Sequence, residues 1–289
     1  MKFHKFSAAV LAIGLTVVGA ASAVPSITLN PSALNGGAVG SDLQIDTALL
    51  GQQGAFVVTS IQTRLDSFLN ISTKTGTGSF TETGALIFTT YNTASFLNGN
   101  RLLGGGQYDI YGLFSGSGSG LWTGNQFNVN SISSFVIDIW ASPQNGTTIA
   151  LSTGGGIVKG NKDFKLGTAT FSGSFGGTNA QLGFGNAATT QLTAEFAFNP
   201  ANAAYTGAGG YFMAPDPFMV NFNGSGSSNS GQSTFADNGS GWLITTGNGA
   251  TGNLTPLALT VPEPGALTLV SLALLAAGFA SSRKRSVAA

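Results

Sequence analysis

The chain has no cysteine, and its single histidine, His4, lies near the start. Charge is scarce as well. Only 8% of residues are charged, 11 basic against 11 acidic, where ordinary globular domains carry about 25%. Missing cysteine removes disulfides, thiol nucleophiles, cysteine-ligated zinc and iron–sulfur clusters. The balanced charge offers no basic surface for a nucleic-acid partner. Glycine is abundant, at 43 of 289 residues, alongside 21 phenylalanines and 42% hydrophobic residues overall. That hydrophobic content supports a core, and a disordered chain would show high net charge and few aromatics instead.

Both ends of the sequence have the pattern of processing signals. Lys2 and Lys5 precede an apolar stretch from Ser7 to Ala20, and Ala21-Ser22-Ala23 forms a small-residue cleavage pattern. Residues 1–23 therefore read as a secretory signal peptide, cut between Ala23 and Val24. At the other end, Val261-Pro262-Glu263-Pro264 is followed by an apolar run from Gly265 to Ala280 and then by Arg283-Lys284-Arg285. Pro262 and Pro264 exclude a helix interior. The 16-residue run favours a short bilayer-inserted helix, with the basic cluster held on the cytoplasmic side.

These three pieces in this order, over residues 261–289, resemble the PEP-CTERM sorting signal of Gram-negative bacteria that produce exopolysaccharide. The resemblance implies recognition by an exosortase and cleavage near Pro262-Glu263-Pro264. It also implies transient anchoring in the inner membrane through the tail helix alone, followed by release to the cell surface or extracellular matrix. The expected processing partners are signal peptidase with the general secretion machinery, and the exosortase.

Between the two signals lies a body of residues 24–260. It keeps six of the basic residues and ten of the acidic ones, so it is mildly acidic. His4 leaves with the signal. Without histidine a Ser-His-Asp triad is excluded, as are the usual zinc sites of catalysis. Two chemistries remain open: glycoside cleavage by paired carboxylates and oxygen-ligated calcium. The acids are Asp42, Asp46, Asp66, Glu82, Asp109, Asp138, Asp163, Glu195, Asp216 and Asp237. None sits in a D-x-D-x-D-G loop, and they read as scattered solubilising charges. No catalytic residue, metal ligand or cofactor is expected. The triple glycines 104–106 and 154–156 precede no helix start, which argues against nucleotide binding.

The body predicts an all-β fold. Gln191 to Phe198 alternates, with Leu192, Ala194, Phe196 and Phe198 on one face. Similar runs cover Phe56 to Leu65, Phe80 to Tyr91, Tyr108 to Phe114, Ser131 to Trp140, Thr147 to Leu151, Lys165 to Phe175 and Phe218 to Phe222. Gly- and Asn-rich clusters read as turns between them, including Ser115 to Gly120, Asn223 to Gly231 and Asn248-Gly249. The expected architecture is an antiparallel sandwich or jelly-roll-like body. An outer-membrane barrel is disfavoured, since its girdles and sustained ten-residue alternation are not evident.

Aromatic side chains are candidates for stacking on sugars: Trp122, Trp140, Trp242, Tyr91, Tyr111, Tyr205 and Tyr211. Trp140 closes an apolar strand and reads as core. Trp122 and Trp242 follow Gly-rich stretches and are the preferred glycan-stacking pair. Gly210-Tyr211-Phe212-Met213-Ala214-Pro215-Asp216-Pro217-Phe218 resembles a segment of flocculation-associated PEP-CTERM proteins, as does the run from Tyr108 to Phe114. That resemblance implies a non-enzymatic role in holding cells together within exopolysaccharide, with the matrix or neighbouring cells as partners. The alternatives are a carbohydrate-binding module linking cells to exopolysaccharide and, less favoured, a carboxylate-dependent glycoside hydrolase.

Overall fold

The computed structural model describes residues 26–30, 33, 55–92, 108–143, 163–183, 188–202, 205, 207, 210–214, 219–226 and 233–257. The signal residues Ala21, Ala23 and Val24 lie outside them, as do the sorting motif Val261 to Pro264 and the cluster Arg283, Lys284 and Arg285. So does the predicted strand from Thr147 to Leu151.

The described residues form strands only, apart from turns and isolated helical-turn residues. In chain order they are β1 (Ile27–Leu29), β2 (Phe56–Val58), β3 (Ser60–Ile71), β4 (Thr77–Asn92), β5 (Tyr108–Thr123), β6 (Gln126–Pro143), β7 (Phe164–Leu182), β8 (Ala188–Pro200), β9 (Phe212–Ala214), β10 (Met219–Gly226), β11 (Ser233–Asp237) and β12 (Trp242–Pro256). The expected β-class holds. The sandwich or jelly roll does not, because the main sheet closes on itself. Strands β3 to β8 form an antiparallel meander, β8 pairs with β10, β10 with β12, and β12 returns to β3. The result is an eight-stranded barrel, with β11 added beside β12 and a separate sheet β2-β1-β9.

Long strands make this closure possible, and glycine makes them long. Ser115 to Gly120, expected as a loop or linker, is the middle of β5 and pairs with β4 and β6 along its length. Its serines point outward and its glycines inward. A side chain on Gly116 would collide with the Phe135 ring, and one on Gly118 would come within 2.7 Å of Phe80. Gly120 is similarly placed 2.6 Å from Phe127. The interior of an eight-stranded barrel is only just wide enough for side chains. Glycine on one wall leaves room for rings from the others.

The same correction applies at β10, which absorbs Asn223 to Gly226. It applies at Asn248-Gly249 too, which is a bulge inside β12 between Thr246 and Ala250. True turns are short at this end. Gly124-Asn125 joins β5 to β6, with Gly124 at φ +60°, where glycine carries no steric penalty. The run from Phe56 to Leu65 divides into β2 and β3 at Thr59.

Inside the barrel, Ile61, Leu65, Leu86, Phe88, Phe114, Phe135, Ile137, Phe196, Phe198 and Phe222 form one continuous core. Phe135 stacks on Phe114 at 5.7 Å and meets the edge of Phe196 at 5.5 Å. Each fully buried ring contributes about 2–3 kcal/mol. The small sheet closes one end. Ile27, Leu29, Val58 and Phe212 are buried against that core, and Phe212 lies 4.8 Å from Phe198. Both β1 and the last residues of β12 lie at this end, so the described body begins and finishes on the same side of the barrel. A second cluster fills the opposite end, around Ile71, Phe80, Trp122, Phe127 and Ile244.

The outward face is polar. Gln62, Arg64, Asn70, Ser115, Asn130, Ser131, Ser133, Gln191, Asn223 and Thr251 are exposed along the strands. Among the described residues, Val57 and Leu121 are large hydrophobic side chains exposed to solvent. Alternation is sustained well beyond ten residues, since β3 carries Ile61, Leu65, Leu69 and Ile71 inward, but its sense is apolar-in. A barrel facing lipid has the opposite sense.

Candidate functional site

The outward surface places hydroxyls in adjacent rows. Ser79, Thr81 and Thr83 of β4 lie opposite Ser119, Ser117 and Ser115 of β5, and Ser119 and Ser117 lie opposite Ser131 and Ser134 of β6. These residues fall on the outer face because their neighbours Phe80, Phe114 and the β5 glycines point inward. Ser119 and Ser131 share a hydrogen bond at 2.8 Å. The rows continue in character on β10 and β12, where Asn221 faces Thr255 and Asn223 faces Asn253.

The hairpin end, away from the small sheet, carries the aromatic residues predicted to meet sugars. Trp122 is not a surface ring. It is 8% exposed, its Nε1 donates to the Thr73 carbonyl at 2.9 Å, and its ring lies 5.4 Å from Phe127. It caps the barrel core because it occupies the inward register after Gly118 and Gly120. Trp242 remains half-buried at the rim. Its ring meets Phe235 edge-on at 5.1 Å, and the Lys74 ammonium stands 5.5 Å from the ring centre. Lys74 pairs with Asp237 at 2.6 Å, and Asp237 also accepts from the Gly239 N–H. Those two contacts hold the Asp237 carboxyl below its ordinary range. Asn238 bonds to Asn70 beside them. Trp140, expected in the core, instead lies half-buried on the outer face with Ala85, Tyr111 and Leu113. Tyr91, Tyr111, Tyr205 and Tyr211 are all buried.

Of the ten acids, six have described side chains, and most are tied down locally. Asp138 pairs with Lys165 at 2.8 Å and accepts from Thr168. Asp163 accepts from the Tyr111 and Ser142 hydroxyls, both at 2.7 Å. Asp66 is buried on the outer side of β3 beneath Gly247 of the β12 bulge. Glu195 sits outward on β8.

Glu82 is the exception to solubilising charge. It occupies an inward position on β4 between Phe80 and Gly84 and lines a cavity of about 50 Å³ in the barrel interior. Ser67 is its hydrogen-bond partner, and burial pushes its carboxyl up to about 7. The other lining residues mix rings with hydroxyls, Phe114, Phe127 and Phe135 with Thr178, Thr190 and Thr246, while Asn179 and Gln191 border the cavity from strand positions whose side chains turn outward. Thr190, Thr246 and Ser233 form a hydroxyl chain, at 3.1 and 3.2 Å. Among the described residues no second acid lines the cavity to make the carboxylate pair that glycoside cleavage uses. Sequence reading missed Glu82 because one polar residue in an alternating run looks the same whichever face turns inward. Its one available signal was register, since it shares the face of Phe80 and Phe88.

The wall beside this cavity is incomplete. The β6–β7 ladder stops between Asn128 and Val136 on one strand and between Thr170 and Asn179 on the other. Val129, Ile132 and Thr178, from this interrupted stretch, line the cavity. Comparison with protein-family models, with curated proteins and with solved structures finds no match for the chain.

Proposed function

We propose that the chain is an exported, exosortase-sorted protein of the cell envelope or extracellular matrix. Its role is structural or adhesive rather than enzymatic, in an exopolysaccharide matrix, a floc or a biofilm. The observation that carries this reading is the outer face of the barrel, with hydroxyls and amides in rows and little charge. Such a face offers hydrogen-bond donors and acceptors to a hydrated, hydroxyl-rich polymer over a wide area. The filled interior supports the same reading. Small-molecule sites enclose about 300–1,000 Å³, whereas two interior cavities among the described residues measure about 50 and 20 Å³. The tail residues Pro262, Glu263, Pro264 and Arg283 to Arg285 support sorting by an exosortase.

Deleting the gene tests the role. Aggregation and matrix retention fall in the deletion strain, and return with the intact chain but not with one lacking Pro262-Glu263-Pro264. Normal aggregation in the deletion strain overturns the proposal. Mass spectrometry of the exported protein tests processing. The expected product starts at Val24 and lacks Arg283 to Arg285, and an intact C-terminus refutes the sorting step.

A carbohydrate-binding module is the second reading, favoured by Trp242 with Asp237, Asn238 and Asn70 at the rim. In that case Trp242→Ala lowers retention on the cells' own exopolysaccharide.

A further inference from the structure

Among the described residues, Glu82 is an acid inside the barrel that neither the surface nor the sorting signals explain. Its surroundings have three properties that together define a ligand. The first is charge. Among the described residues no basic side chain lines the cavity. Among the described side chains, none on β3, β5, β6, β7, β8, β10 or β12 brings a second titratable or charged group to the cavity lining. Arg64 is exposed, while Lys74 and Lys165 are paired with Asp237 and Asp138. An isolated carboxylate among phenylalanines is costly unless something neutralises it. The second is donor type. Ser67, Thr178, Thr190 and Thr246 bring only neutral hydroxyls to the same space. The third is size. About 50 Å³ holds roughly three to five water-sized spheres, too little for a sugar or a lipid chain.

We infer that this cavity binds a small monovalent cation, sodium or potassium, through the Glu82 carboxylate and the surrounding hydroxyl oxygens. Hard cations take oxygen ligands. One carboxylate balances one positive charge, whereas a divalent ion would leave a net charge in an apolar enclosure. The break in the β6–β7 ladder lies against the cavity and supplies the entrance. The inference is independent of the matrix role, since it concerns the barrel interior only.

The test is thermal unfolding of the full chain in sodium, potassium and choline chloride at equal ionic strength. At pH 8.5, with salt at ten times the dissociation constant, sodium or potassium raises Tm by about 4 °C over choline. At pH 5, where Glu82 holds its own proton, the difference disappears. Glu82→Gln removes the difference at pH 8.5 while unfolding no earlier than wild type in choline. Equal Tm values in all three salts overturn the inference, as does a cation effect that survives in Glu82→Gln. Sodium-23 relaxation on the wild-type chain gives a readout that does not depend on the variant. Line broadening is expected at pH 8.5 and lost at pH 5 or on adding excess potassium, and its absence overturns sodium binding.

Discussion

Replacing Glu82 with glutamine should stabilise the protein in alkali and leave it nearly unchanged in acid. The carboxyl is raised from 4.5 to about 7 in the folded chain by burial. Below pH 4.5 both folded and unfolded chains keep the proton, and the group costs nothing. Between 4.5 and 7 only the unfolded chain releases it, so stability falls as pH rises. Above 7 both forms are ionised and the loss is complete. At about 1.4 kcal/mol for each pH unit, the loss reaches about 3 kcal/mol. Glutamine keeps the shape and the hydrogen bond to Ser67 but cannot ionise. In choline buffer, where no small cation offsets the charge, Glu82→Gln should exceed wild type by up to about 3 kcal/mol at pH 8.5. The two should converge near pH 4.5. Urea unfolding at half-unit pH steps measures both curves. Parallel curves across pH 4.5–8.5 would refute the interior placement of Glu82.

Two further outcomes follow from the barrel. Gly118→Val should cost about 1–3 kcal/mol or more, because its side chain meets Phe80 and the Ser131 backbone. Ser117→Val beside it should change stability by no more than about 0.5 kcal/mol, and equal effects at the two positions would return residues 115–120 to a loop. Trp122→Ala should cost about 3–5 kcal/mol as a buried ring, and Trp242→Ala clearly less. A loss under about 1 kcal/mol at Trp122 in urea unfolding would remove it from the core.

Trp122 and Trp242 show why the candidate site was only partly legible. Both follow Gly-rich stretches, and local sequence cannot separate them. Trp122 is buried because Gly118 and Gly120 before it already line the inner wall, so strand register carries its ring inside. Trp242 opens β12 at the rim, against Phe235 of the preceding strand and Lys74 from a distant part of the chain. Glycine was misread for the same reason. It breaks isolated strands, yet in β5 it leaves space that Phe80, Phe127 and Phe135 fill.

By itself the sequence determined the β-class, the two-faced character of most strands and the exclusion of histidine and cysteine chemistry from the body. These rest on composition and on period-two alternation, which are local. Closure of the barrel was decided only in three dimensions, by β3 pairing with β12 across nearly the whole body and by β10 pairing with β12. So were the burial of Trp122 and the placement of Glu82 in an interior cavity of rings and hydroxyls. Alternation marks two faces of a strand, but which face becomes the inside depends on the partners that close the ring.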